Sequence, residues 1–251
     1  IMLMPEEDRR RIKAVIYNNL RGSPESIWEG AEEVERITGI PVLGIVPHIP
    51  NRLPKEDSEC FRGIKEIGEG SSVIGVIKVP RISNFTDIDP LYGEDVTVRF
   101  VTEPDDLDSC DAIILPGTKN SISDMDWLIR SGLRDKILSM HGKVPILGIC
   151  GGYQMLGKVL SDPEGREDPS IKEIEGLGLL NVVTNWNSSD KITVRSRGTF
   201  IRTGEPVSGY QIHMARTDVF GEPLFIIDGK EEGCCDDDNK VYGTYLHGVL
   251  E

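Results

Sequence analysis

The residues with the most chemical potential lie in the stretch V-P-I-L-G-I-C-G-G-Y-Q-M-L at 144–156. A short apolar run reads as a buried strand. It breaks at Gly148-x-Cys150-x-Gly152, and apolar residues then recur at helical spacing as Tyr153, Leu156 and Leu160. G-x-C-x-G is the cysteine form of a nucleophile elbow, a turn so sharp that the nucleophile is strained and side chains two residues either side would clash. Cys150 then stands at the carboxyl end of a strand and the amino end of a helix. The dipole and free N–H groups there favour thiolate over thiol. The backbone N–H of Gly151 points where an oxyanion would form. A buried cysteine in a glycine-rich strand–helix turn explains the motif equally well, so other segments must decide.

A cysteine nucleophile needs a base within hydrogen-bond reach. The chain has four histidines. His48 falls in a Pro-rich loop and His141 in a polar turn with Gly142, and both read as surface residues. His213 ends G-Y-Q-I-H and His247 ends G-T-Y-L-H, each after a strand-like run, so either can be aimed at the elbow. Taken singly such histidines are more often structural; beside an elbow cysteine the balance shifts. The Pro116-Gly117-Thr118 turn, at the end of a neighbouring strand, can lend a second N–H to an oxyanion hole.

The elements that must position these groups follow in order. Residues 13–17 form a strand closing in Asn18-Asn19. A helix follows, with Ser23 as N-cap, Pro24 at its first position, a stripe of Ile27, Ala31, Val34 and Ile37, and Gly39 as C-cap. Residues 41–46 are the next strand. The result is a βαβ unit and a parallel pair, too small to bury both faces of a sheet unaided. Residues 50–71 are polar, reading as a short helix over 59–67 and a linker, which places domains at 1–70 and 71–251. Strands are predicted at 73–79, 96–101 and 112–115, and an amphipathic helix at 124–138. The 81–92 segment, with Asn84, Asp87, Asp89 and Pro90, is too long to be mere connection and reads as a binding loop. This alternation describes a doubly wound α/β domain working at the carboxyl ends of its strands. After an acidic insertion at 161–175, short strands at 178–183, 192–197, 207–214, 224–227 and 241–246 read as mostly antiparallel additions. Residues 233–238, with Cys234, Cys235 and three Asp, read as a solvated hairpin tip, and no metal site is predicted.

Composition narrows the setting. The chain has 251 residues, 38% hydrophobic and 28% charged, enough for one large or two modest cores. Its net charge of −14 argues against a nucleic-acid surface. It has no apolar run of membrane-spanning length and no signal peptide, and five cysteines without C-x-x-C spacing fit free thiols in a reducing cytoplasm. The start at Ile1-Met2 and the stop at Glu251, four residues past His247, read as a fragment.

G-I-C-G-G-Y-Q-M-L-G, L-P-G-T-K-N and T-Y-L-H-G together resemble class I, cysteine-dependent glutamine amidotransferases. The fuller wording, with E-G-L-G-L-L and G-Y-Q-I-H-M, is similar to the cobyric acid synthase family, and V-I-Y-N-N-L-R-G and P-V-L-G-I-V-P-H-I-P resemble the closing strands of that family's dethiobiotin-synthetase-like ATP-binding domain. The resemblance implies a class I amidotransferase fold, mostly parallel with antiparallel additions, preceded by a partial P-loop-type βαβ unit. It implies Cys150 as nucleophile on glutamine and His247 as base and then acid. Gly117 and Gly151 would donate to the oxyanion, with Thr118, Gln154 and His213 in the oxyanion and substrate-binding group. The ammonia would amidate an ATP-activated carboxylate of a corrinoid acid in cobalamin biosynthesis.

Three departures matter. His247-Gly248-Val249 lacks the acid of H-x-E, as the cobyric acid branch does, so an unnamed group must orient His247. Gln211 stands where the family's Y-E-I-H-M-G has an acid. No G-x-x-x-x-G-K-[ST] loop occurs, so this chain is expected to bind no cofactor, with ATP and Mg2+ held by a missing ATP-binding half supplied in cis or trans. Asn18 would be a remnant of the nucleotide-base contact. The alternatives are a paralogous amidotransferase, acting on cobyrinic acid or a cell-wall precursor, and a silent binding scaffold.

Overall fold

The computed structural model describes residues 1–2, 4–20, 25–47, 64–187 and 191–251. Ser23-Pro24, His48 and the helix expected from residue 59 as far as 63 lie outside the described residues. The chain divides into two compact units, Ile1–Leu53 and Pro54–Glu251.

The first unit contains α1 (Glu6–Arg9), β1 (Val15–Leu20), α2 (Glu25–Thr38) and β2 (Val42–Pro47). β1 and β2 pair in parallel, as a strand–helix–strand crossover of this length requires. β1 runs on through Asn18, which is exposed, to Leu20. Gly39 takes φ +67°, the left-handed C-cap behind α2. Ala31 and Ile40 are buried, whereas Ile16, Trp28, Ile37 and Leu43 are each more than half exposed.

In the second unit come β3 (Glu66–Ile67), β4 (Ser72–Ile77), β5 (Val96–Val101), β6 (Ala112–Leu115), α3 (Ser121–Arg130), α4 (Leu133–Met140), β7 (Ile146–Ile149) and α5 (Gly151–Leu156). After them the chain forms β8 (Val159–Ser161), β9 (Glu173–Glu175), β10 (Val182–Asn185), β11 (Ile192–Phe200), β12 (Pro206–His213), β13 (Arg216–Val219), β14 (Phe225–Ile227), β15 (Lys230–Glu232), β16 (Cys234–Asp236) and β17 (Val241–Thr244). The central sheet has the order β16-β17-β7-β6-β4-β5-β3. Its five inner strands are parallel and its two edges antiparallel, the doubly wound α/β arrangement. Ile113, Leu115, Ile146 and Ile149 are buried on both faces, the composition a covered parallel sheet needs. Two four-stranded sheets, β13-β10-β8-β9 and β12-β11-β14-β15, stand apart from it.

The structure corrects several sequence expectations. Residues 66–67 are an edge strand rather than the end of a helix. The helix predicted over 124–138 is two helices, because Gly132 at φ +79° breaks it. α5 is only six residues long, and Leu160 lies in β8. The helix ends at Gly157, which is extended, and a Cβ there would meet Val182 at 2.8 Å. β17 is not an antiparallel addition but joins β7 in parallel inside the main sheet. Residues 234–236 are the sheet's edge strand, with Cys234 buried, rather than a solvated tip.

Replacing Gly152 tests the closest approach in this sheet. A Cβ there would lie 1.9 Å from the Leu115 carbonyl oxygen. Gly152→Ala is expected to destabilise the chain by about 3 kcal/mol, the upper range for overpacking, measured by urea unfolding. A loss below about 0.5 kcal/mol, the size of an ordinary surface change, would contradict this packing.

Candidate active site

β7 delivers Cys150 and α5 leaves from it. The cysteine adopts φ 52° and ψ −108°, a conformation that side-chain-bearing residues avoid. The two flanking glycines make the turn possible: a Cβ on Gly148 would meet Leu156 at 2.6 Å, and Gly152 lies against Leu115 as above. The Cys150 N–H donates to Thr244 O at 2.8 Å, tying the elbow to β17. Its Sγ is 3.6 Å from Ile212 O, and the residue is buried and lines a cavity of about 470 Å³. Gly151 has no room for a side chain either, since a Cβ would lie 2.5 Å from the Thr118 methyl and 3.0 Å from Thr118 N. The Gly117-Thr118 turn and the N-terminus of α5 are therefore in direct contact next to Cys150.

His247 follows β17 and is fully buried. The Glu232 carboxylate fixes the strand end, accepting from Tyr245 N and Thr244 Oγ1, each at 2.7 Å. A two-way backbone pairing with Tyr210 carries the chain onward, and the Tyr210 ring stacks on the imidazole at 4.9 Å. A Cβ on Gly117 would stand 3.3 Å from His247 Cε1, so glycine leaves the ring its place.

The group that orients His247 is Asp87. Its Oδ2 lies 2.7 Å from His247 Nδ1, and its Oδ1 accepts the Gly248 N–H at 2.9 Å. Asp87 comes from the 81–92 loop, which contains 3-10 turns at Phe85–Asp87 and Asp89–Gly93 and is anchored by buried Phe85 and Ile88. Arg81 pins the loop's start to Asp124 at 3.1 Å. Asn84, in the left-handed region at φ 54°, places Nδ2 3.2 Å from His247 Nε2. Burial lowers the imidazole's affinity for a proton, but the Asp87 hydrogen bond and the Cys150 sulfur outweigh it, and His247 is pushed up to about 9. Proton binding at His247 thus adds stability that is complete below its ordinary 6.5 and lost as pH rises through about 9.

His213 occupies a different place. Its ring stacks on Tyr245 at 3.8 Å and its Nδ1 lies 2.8 Å from Ala215 O. Burial holds its pKa down, with His247 adding to the effect, so it stands neutral at the cavity wall. Gln154 is clamped: its Oε1 accepts from Ser121 Oγ at 2.5 Å, and its Nε2 donates to Tyr245 OH at 3.1 Å. The structure thus brings Cys150, His247, Gly117, Thr118, Gly151, Gln154 and His213 to one locus. Asn18 lies in the other unit. Sequence reasoning missed Asp87's role, because it pairs with a residue 160 positions away and no local spacing marks it.

A cavity-lining thiol beside a carboxylate-held imidazole, on a parallel α/β sheet, defines a thiol-dependent acyl-transfer site. Residues 73–251 match the CobB/CobQ-like glutamine amidotransferase domain. The chain belongs to this family. It is 43% identical to a probable cobyric acid synthase of Methanothermobacter thermautotrophicus, covering 100% of this chain and 53% of that protein. It is 45% identical to a cobyric acid synthase of Geobacillus thermodenitrificans, covering 100% and 52%. The chain therefore spans about half the length of these relatives. Two solved structures share the fold: a glutamine amidotransferase (TM-score 0.53, 18% identity, 71% of this chain and 92% of that one) and PurLQS from Thermotoga maritima (TM-score 0.52, 21% identity, 70% and 87%).

Asp87→Asn preserves shape but removes the charge that holds the imidazolium. Alkylation of Cys150 by iodoacetamide at neutral pH, followed by peptide mass, is expected to slow by about 10-fold, one pKa unit of lost ion-pair support. An unchanged rate in a folded variant would contradict the role given to Asp87.

Proposed function

We propose that this chain is the glutamine-hydrolysing, ammonia-supplying part of a cobyric acid synthase. The observation that carries the reading is the Cys150–His247–Asp87 arrangement, joined to whole-chain similarity to proteins of that name. Cys150 Sγ, a thiolate whose proton already rests on the His247 imidazolium, attacks the side-chain amide carbon of glutamine. The N–H groups of Gly151 and the Gly117-Thr118 turn stabilise the oxyanion. His247 returns the proton to the departing nitrogen, leaving ammonia and a glutamyl thioester. Neutral His247 then draws a proton from water, which attacks the thioester and frees glutamate and the thiol.

The ammonia is used on an ATP-activated peripheral carboxylate of a corrinoid acid. ATP and Mg2+ would be held by the half that the relatives have and this chain does not span. A silent scaffold has no need of a buried carboxylate paired with a buried imidazole behind the elbow cysteine. Among amidotransferases, whole-chain similarity favours cobyric acid synthase over the paralogues.

The test is glutamate release from glutamine by the wild-type chain and by Cys150→Ala, alone and with the ATP-binding half restored. Loss of about 10³-fold or more in the variant is expected. Equal rates, or a wild type inert under both conditions, would remove the assignment. With the half restored, amide formation on a panel of corrinoid acids identifies the acceptor.

A further inference from the structure

The Cys150 cavity holds one carboxylate that the hydrolytic chemistry leaves unused. Glu167 lines the cavity together with Arg166, Lys119 and Lys191. It sits in the acidic insertion after β8, which is tightly built. The buried Asp162 carboxylate accepts the N–H groups of Arg166 (2.8 Å), Glu167 (2.8 Å) and Asp168 (3.0 Å). From the other side Asn120 Nδ2 donates to Glu167 O at 2.7 Å, and the Ser121 N–H donates to the Glu167 carboxylate. Ser121 also bonds Gln154, and its Oγ stands 2.9 Å from where a Cβ on Gly151 would be. The carboxylate is thus fixed at the cavity wall one residue away from the elbow.

Glutamine is an amide joined to a zwitterion, its ammonium nitrogen roughly 5 Å from the amide carbon along an extended side chain. A site for free glutamine needs one anion and one or more cations beyond the reacting amide. We infer that Glu167 is the counter-ion for the α-ammonium of the substrate, with Lys119 and Lys191 facing its α-carboxylate. This rests on glutamine being the substrate, and it makes the site selective for the free amino acid. Arg166 is engaged by Glu164 at 2.7 Å, which leaves the carboxylate to the two exposed lysines. Desolvation raises the Glu167 carboxyl to about 7, against the pull of the Ser121 and Ile122 N–H groups. It therefore carries its charge above that pH and loses it below.

The test compares two reagents on the whole chain: 6-diazo-5-oxonorleucine, which carries the α-ammonium, and its des-amino counterpart. The readout is the rate of Cys150 labelling. Wild type at pH 8 is expected to favour the amino reagent by about 10–100-fold, the worth of a charged hydrogen bond. This preference should shrink as pH falls through about 7. Glu167→Gln should abolish the preference while labelling by the des-amino reagent stays at the wild-type rate. Equal slowing with both reagents would show a structural prop for α3, and an undiminished preference would show another counter-ion; either overturns the inference. Wild type labelled by iodoacetamide but by neither diazoketone would overturn the glutamine reading itself, and this inference with it.

Discussion

A methyl group on Gly152 would stand 1.9 Å from the carbonyl oxygen of Leu115, and one on Gly148 would strike Gly152 and Leu156. The first turn of α5 is therefore pressed against β6 with only hydrogen atoms between them. That contact forces the reversal at Cys150 and its φ of 52°, at a backbone cost on the order of 1–3 kcal/mol. The cost is met by the buried sheet on either side, in which β7 lies between β6 and β17 with Ile146 and Ile149 wholly covered. Strain of this kind persists only where neighbours over-determine it, and here it holds the thiol against a cavity instead of letting it relax into the core.

The second requirement is an imidazole held without freedom to rotate. β17 and β7 are parallel neighbours, so the segment that follows β17 emerges at the same end of the sheet as Cys150. His247 is then confined by Tyr210 on its face, Gly117 at its edge and Asp87 at Nδ1. Removing an ion pair from water is costly, and the pair remains because each Asp87 oxygen has a donor, His247 Nδ1 or the Gly248 N–H. The arrangement performs what an acid two residues after the histidine would perform, but it is supplied by a loop from the other end of the unit.

Local patterns were the legible part. The elbow, the strands at 96–101 and 112–115, the Pro-Gly-Thr turn and the candidate histidines could be read because each depends on residues adjacent in sequence. Gly132 was the exception, since amphipathic spacing continues across it while its φ of +79° does not. Long-range facts were not legible. That β17 enters the central sheet in parallel depends on which edge was open, and a short apolar strand carries no record of that. Asp87 was visible only as one polar residue in an overlong loop, and Glu167 as one acid among several in an acidic insertion. What separates each from its neighbours is its burial and partners, which appear only when the chain is folded.

Nitrogen NMR of the selectively labelled imidazole reads the proton at His247 directly. A ring that stays doubly protonated through neutral pH and titrates near 9 is the predicted result. Titration at or below the ordinary 6.5 would mean that burial prevails over Asp87 and Cys150, and would contradict the account.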